Sequence, residues 1–331
     1  DRVYKSVIYT DEELKDAKEV MGYTEDVDLK TLEIAFDANC NFGCSYCNAS
    51  FSTTWQKDIK TKGPYQNLVS DGAAAFQHDG SHAMPYGRKN KDNPYIEAFW
   101  KWWEAELQFS LRELRVTGGE PSMSPDFWKL MEWWKKNPDC KVPFAVNSNL
   151  GQKKKLLDAL IESSKSFKDF SIYTSCEAVG LQAEYIRFGL EWDVWLKNMY
   201  RVNQEGNIKT VNVMMTINAL CLFSITEFMD EMMKIKKKFG YKAAVMSFNI
   251  LRFPSFQSIV TLPKNIRLER AAAMEAWLDK NWNNGQNGFI DIERDALLRL
   301  IEYTKSVDKG HEFTSSIDTR ERDFRSFYLQ Y

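Results

Sequence analysis

Cys40, Cys44 and Cys47 stand in the run Asn39-Cys40-Asn41-Phe42-Gly43-Cys44-Ser45-Tyr46-Cys47, a C-x3-C-x2-C spacing with no fourth cysteine or histidine nearby. Half of the chain's six cysteines fall in this short run, as ligands do and a disulfide framework does not. A structural zinc site closes all four of its positions with protein ligands. A cubane iron–sulfur cluster takes one thiolate per iron, so three cysteines leave one iron open to something that is not protein. The spacing points to an open iron, and an open iron is a place for chemistry. Of the remaining thiols, Cys140 reads as a small core hydrophobe. Cys176 and Cys221 fall at or just past expected strand ends, facing the expected site; burial in the core is the plain alternative.

The elements that must position these residues alternate. Strand-like runs are expected at Thr31–Phe36, Glu113–Thr117, Phe144–Ser148, Asp169–Ser175, Thr210–Ile217 and Ala243–Ile250, with amphipathic helices between them. That order is α/β, and six such strands predict a partial (β/α)6 TIM-like barrel, with its chemistry at the carboxyl ends of the strands. Ser124-Pro125 is an expected helix start, with Phe127, Leu130, Met131 and Trp134 on one face. Another helix runs from Pro94 with Ile96, Phe99, Trp100, Trp103 and Leu107 inward, and a third begins near Ser224 and stops at Gly240. Residues 1–30 are expected to be a helical lead-in, 31–251 the barrel, and 252–331 a mostly helical extension. The stretch 48–93 is polar and weakly periodic, and is expected to be a long insertion that roofs the site. Trp55, within it, is a candidate substrate contact. His78 and His82 could share a helical face as a metal pair, but flanking glycines favour a solvated loop.

The two motifs taken together resemble the radical S-adenosylmethionine superfamily: C-x3-C-x2-C after the first strand, with the aromatic Tyr46 before the last cysteine, and Thr117-Gly118-Gly119-Glu120-Pro121 ending the second. The resemblance covers roughly 31–250. It implies one [4Fe-4S] cluster held by Cys40, Cys44 and Cys47, S-adenosylmethionine chelating the open iron, and reductive cleavage to a 5′-deoxyadenosyl radical that takes hydrogen from a substrate. It also implies an external one-electron reductant of the flavodoxin or ferredoxin type, and in such chemistry the thiol of Cys176 or Cys221 could return a hydrogen atom to a substrate radical. Gly118, Gly119, Glu120 and Pro121 are implied at the methionine amino group, Tyr46 near the adenine, and Ser148 and Asn149 along the ligand. Glu177 is implied near the ribose, Arg187 at the carboxylate and Asn218 near the adenine. The run from Glu177 through Arg187 to Trp195 resembles the branch with SPASM or twitch extensions. That branch uses further cysteines for auxiliary clusters, but none follows Cys221 here, so no auxiliary cluster is expected.

A peptide or protein side chain is the substrate favoured by the branch, with a small metabolite or nucleoside-like molecule as the alternative. Outside enzymes, an iron–sulfur electron-transfer protein explains the cysteines but leaves Gly118-Gly119-Glu120-Pro121 unexplained. A zinc-stabilised binding module lacks its fourth ligand. Without the resemblance, Arg187 reads as a helix arginine in an ordinary ion pair, and Glu120 and Glu177 as helix caps. The formal net charge of −2 shows no basic stripe and argues against a nucleic-acid partner. The run Lys234-Ile235-Lys236-Lys237-Lys238 reads as the end of a helix, where lysines complement the dipole. No apolar run reaches the roughly 18 residues of a membrane span, and ligand thiols need a reducing compartment, so a cytoplasmic protein is expected.

Overall fold

Alternation of apolar and polar residues along the strands decides which side of the sheet meets the helices. The computed structural model describes residues 29–65 and 93–306. Its main sheet has the order β1-β3-β4-β5-β7-β8 and is parallel throughout. These strands are β1 (Thr31–Ala35), β3 (Glu113–Thr117), β4 (Phe144–Ser148), β5 (Phe170–Thr174), β7 (Thr210–Ile217) and β8 (Val245–Ile250). Each strand pairs with the next of the sheet in chain order, with Ile34 opposite Val116, Val146 opposite Ile172 and Val213 opposite Met246. A parallel sheet wound in one direction, with helices between its strands, is a partial (β/α)6 barrel.

In β7, Val211, Val213, Met215 and Ile217 are buried, while Asn212, Met214 and Thr216 are only half-buried. The buried set joins the helices in one hydrophobic core. Those helices are α1 (Thr53–Thr61), α2 (Pro94–Trp102), α3 (Pro125–Lys136), α4 (Lys154–Ser164), α5 (Gly180–Ile186), α6 (Trp192–Glu205), α7 (Ile225–Phe239), α8 (Lys264–Asn281) and α9 (Asp291–Ser306). α2 continues into a π turn over Trp103–Leu107. Trp103, Trp134, Phe144 and Phe167 interlock beneath β3 and β4, with Trp134 stacked on Phe167 at 4.6 Å. A second, two-residue ladder pairs β2 (Gly43–Cys44) antiparallel with β6 (Arg187–Phe188).

The expected strands agree with the observed ones to within two residues. Pro125 starts α3 as expected, but Ser124 provides no side-chain cap. Gly240 ends α7 at φ +95°, a conformation that suits glycine. The stretch 48–93 is not one loop: Ser52 caps α1 by accepting from the Trp55 N–H, and Trp55 and Ile59 bury one face of it. Cys140 is half-buried rather than enclosed. Residues 1–28, most of the proposed roof (66–92, with His78 and His82) and 307–331 lie outside the described residues. Among the described residues no helix is long and apolar enough to cross a membrane.

Within the lysine run, Lys236 turns inward. Its Nζ meets Glu293 of α9 at 2.5 Å, with both side chains fully buried, and also donates to the Gly288 carbonyl at 2.9 Å. Glu293 in turn accepts from the Met246 N–H of β8 at 2.7 Å, so one carboxylate ties α9 to both α7 and the sheet edge. Lys236→Met leaves that carboxylate buried without its cation and is expected to cost about 3 kcal/mol. Lys236→Met with Glu293→Leu should recover most of the loss in urea denaturation, short of the Met246 hydrogen bond. A single variant as stable as the parent would show that the pair does not anchor α9.

Candidate functional site

The cysteine loop leaves β1 at its carboxyl end and is pinned from three sides. From α1, Thr54 Oγ1 donates to the Cys40 carbonyl at 2.8 Å, Ser52 Oγ to the Phe42 carbonyl at 2.8 Å, and Trp55 Nε1 to the Cys44 carbonyl at 2.9 Å. From the α5–β6 junction, the Ile186 carbonyl accepts from the Ser45 N–H at 2.8 Å. From the segment before α8, Gln257 Nε2 donates to the Ser45 carbonyl at 2.6 Å and its Oε1 accepts from Ser45 Oγ at 3.0 Å. Gln257 is fully buried. Phe256 beside it packs with Ala49, Trp55 and Ile59, so the extension seals the back of the loop.

Cys40, Cys44 and Cys47 are all half-buried free thiols. Burial, and then the neighbouring Cys44, push Cys40 up to about 12. Burial raises Cys47 too, with added push from Cys44 and Cys40. The three thiols therefore feel one another. Among the described residues no group of three His, Cys, Asp or Glu side chains is arranged to hold a single metal ion. A cubane binds each thiolate to a different iron, so its ligands need not converge to single-ion spacing. A raised thiol pKa means that Cys40 stays protonated at neutral pH. Its alkylation is expected to climb about tenfold per pH unit without levelling up to about pH 10, where an ordinary cysteine has already plateaued. Peptide mapping after iodoacetamide at graded pH checks this, and a plateau near the ordinary value counts against it.

The glycine turn lies directly on this loop. The Glu120 N–H donates to the Asn39 carbonyl at 2.6 Å and the Gly119 N–H to the Asp37 carbonyl at 3.3 Å. Gly118 has φ +130°, and a Cβ there would lie 2.7 Å from the Asp37 carbonyl oxygen; one on Gly119 would collide with the Asn39 carbonyl. In this structure the close approach that the glycines allow is to the cysteine loop's own backbone. The Glu120 carboxylate is buried and accepts from Ser122 N–H and Oγ, Ser148 Oγ, the Asn149 N–H at 2.7 Å and Gln152 Nε2. All of these donors are neutral. Burial raises its pKa, and these bonds pull the other way. The Asn149 side chain reaches back to the loop, donating to Asn41 Oδ1 at 2.8 Å.

Tyr46, Glu177 and Arg187 converge beside Cys44. Arg187 Nη2 donates to Glu177 Oε2 at 2.6 Å, with both side chains almost wholly buried. Tyr46 Oη donates to Glu177 Oε1 at 3.2 Å. Burial is the largest single influence and disfavours the charge on Arg187, but Glu177, Tyr46, Cys44 and Cys176 together outweigh it and hold the guanidinium well above its usual range.

Several expected site residues are enclosed or bonded within the fold. Cys176 and Cys221 are fully buried in the core, and burial raises both thiols, Cys176 to about 12. Both therefore take the core position that is the plain alternative to a hydrogen-donor role. Asn218 folds its own turn: Oδ1 accepts from the Leu220 and Cys221 N–H groups and Nδ2 donates to the Thr216 carbonyl. Both ends of its amide are bonded to the backbone of that turn. Trp55, the candidate substrate contact, is 2% exposed and supports the loop through its bond to the Cys44 carbonyl. Pro121 is buried and opens a short 3-10 turn. Gln152 and Gln257 carried no motif; only their late position after a strand and a proline turn set them apart. A cleft of about 950 Å³ lies elsewhere, around Lys237, Gly240, Tyr241 and Lys280 at the end of α7.

No protein-family model and no curated protein matches this chain. Some solved structures resemble it distantly. One is SuiB of Streptococcus suis bound to S-adenosylmethionine, 14% identical with a TM-score of 0.46 over 86% of this chain and 57% of that one. Another is anSMEcpe with bound AdoMet and Cp18Cys peptide, 14% identical, TM-score 0.43, over 76% of this chain and 62% of that one. A third is TYW1 with a lysine-pyruvate adduct bound, 12% identical, TM-score 0.37, over 83% and 90%. All three likenesses are distant, and this chain spans little more than half of the SuiB chain.

Proposed function

We propose that this chain is a radical S-adenosylmethionine enzyme. The observation that carries the reading is the contact between its two motifs, far apart in sequence: the turn Gly118-Gly119-Glu120 is hydrogen-bonded onto the loop of Cys40, Cys44 and Cys47, at the carboxyl ends of the adjacent strands β1 and β3. An iron–sulfur electron carrier needs the first motif and gives no reason for the second. The donor set fits the group: three thiols on one loop suit three irons of a [4Fe-4S] cluster and leave one for a ligand. The buried Glu120 carboxylate, bonded by neutral donors alone, suits a nearby ammonium such as that of a methionine moiety. When bound, cluster and S-adenosylmethionine together supply a 5′-deoxyadenosyl radical able to take hydrogen from an unactivated carbon. The protein's part is to hold the thiolates, orient the ligand along Ser148 and Asn149, and keep water from the site.

The substrate is a peptide or protein side chain on this reading. Most of the residues between the buried ones of the strands support it: Arg115, Asn147, Ser171, Tyr173, Asn212 and Thr216 are polar and half-buried, beside the apolar Met214 and Phe248. Such a face favours a hydrogen-bonding guest over a lipid-like one. The electron comes from a flavodoxin- or ferredoxin-type donor in a reducing, cytoplasmic compartment.

Anaerobic reconstitution with iron and sulfide, reduction with dithionite and chromatography after adding S-adenosylmethionine test the proposal. Formation of 5′-deoxyadenosine and methionine is the expected result. A cluster that forms but cleaves nothing, with or without candidate peptides, would favour an electron carrier. Failure to take up any cluster would sink the reading.

A further inference from the structure

Arg187 is only 3% exposed, yet its guanidinium is committed in two directions. Nη2 donates to Glu177, and Nη1 donates to Cys44 Sγ at 3.6 Å. The approach is built into the backbone, because Cys44 and Arg187 are direct partners in the β2–β6 ladder. The guanidinium lies 5.3 Å from the centre of the Tyr46 ring, and the Tyr46 hydroxyl donates to the same Glu177 carboxylate. Glu177 Oε2 is also 3.4 Å from the Thr216 N–H of β7. Carboxylate, ring and ladder thus hold one cation against one sulfur.

Hydrogen bonds and positive charge at a ligand sulfur stabilise the more negative, reduced state of an iron–sulfur cluster. Resting on the reading that Cys44 holds such a cluster, we propose that Arg187 is a positioning residue of the cluster, donating through Nη1 to the Cys44 sulfur and raising the cluster's reduction potential. Glu177 and Tyr46 hold the guanidinium in place, and the Glu177 carboxylate tempers its charge. One electron passes from the external one-electron donor to the cluster, with no bond made or broken. Arg187 therefore serves the cluster, whereas the family resemblance implied a role at the carboxylate of the ligand. One N–H of each Nη is thus committed, to Glu177 and to Cys44, while the buried Nε has no partner.

The test is a redox titration followed by electron paramagnetic resonance on the anaerobically reconstituted protein without S-adenosylmethionine. Arg187→Gln is expected to lower the reduced-to-oxidised ratio at a given potential at least tenfold, a shift of about 59 mV for one electron. Because that change leaves Glu177 buried and uncompensated, Arg187→Gln with Glu177→Gln is the companion variant and should shift in the same direction. Glu177→Gln alone keeps the guanidinium and should move the potential upward. A purely structural role would lower the yield of cluster but leave the potential of the clusters that form unmoved. Unmoved potential in the double variant or in Glu177→Gln overturns the assignment. If the parent chain takes up no cluster, the proposed function fails and this inference with it. A cluster in the parent with unmoved variants overturns the inference alone.

Discussion

Replacing Cys44 by alanine is expected to abolish cluster uptake and all 5′-deoxyadenosine formation, while Cys176→Ala and Cys221→Ala leave both intact. The contrast rests on surroundings, since all six cysteines are free. Cys44 sits on the loop that α1, β6 and Gln257 hold in place, and it takes the Arg187 donor. With two thiolates left, a cubane would have two irons without protein ligands, and binding that depends on folded, deprotonated ligands fails. Cys176 and Cys221 instead fill core space, so their loss leaves small cavities worth about 1 kcal/mol each. Iron and sulfide content per chain, visible absorbance and chromatography of the nucleoside check the set. Cys44→Ala protein that still cleaves S-adenosylmethionine would remove the loop from the mechanism. Cys176→Ala protein that cleaves it yet no longer turns over a substrate would make the thiol a hydrogen donor.

The barrel was legible because its signals are local. Alternation in Thr210–Ile217 and the apolar spacing of Phe127, Leu130, Met131 and Trp134 report a face that must be buried whatever lies opposite. The cysteine and glycine motifs were legible as residue types at short spacing. Their partners were not, because a partner is a long-range fact. Nothing near Gln257 says that its amide will clasp Ser45, which lies 212 residues earlier. Nothing near Lys236 distinguishes it from Lys237, although only Lys236 finds Glu293. Polar surroundings hid α1: Trp55 and Ile59 are spaced four apart behind a serine cap, but two apolar residues in nine make a faint stripe. The surroundings of Cys176 and Asn218 were hidden for a related reason. Being at the carboxyl end of a strand puts a residue near the site, but whether its side chain is offered or spent depends on the turn that follows it.

Gly119→Ala is the change outside the ligand set expected to do the most damage. A methyl group there would overlap the carbonyl of Asn39 and come 2.7 Å from that of Ala38. Both are backbone atoms of the cysteine loop's approach, so no side-chain rotation relieves the clash. Either the turn after β3 lifts away or the loop does. Lifting breaks the bond from the Glu120 N–H to the Asn39 carbonyl and that from the Gly119 N–H to Asp37. Overpacking costs about 3 kcal/mol and the two hydrogen bonds about 1 kcal/mol each, so a loss of about 5 kcal/mol in urea denaturation is expected. Iron uptake on reconstitution should fall with it, since Cys40 follows Asn39 directly. Gly285→Ala is the control: its φ of +77° strains the substitution too, but the nearest atom to an added Cβ is 3.8 Å away, and it lies far along the chain from the cysteines. Gly285→Ala should cost about 1 kcal/mol and leave iron uptake unchanged. If Gly119→Ala protein is as stable and as iron-competent as this control, the turn does not bear on the loop. The contact that joins the two motifs would then have to be given up as the basis of the proposed function.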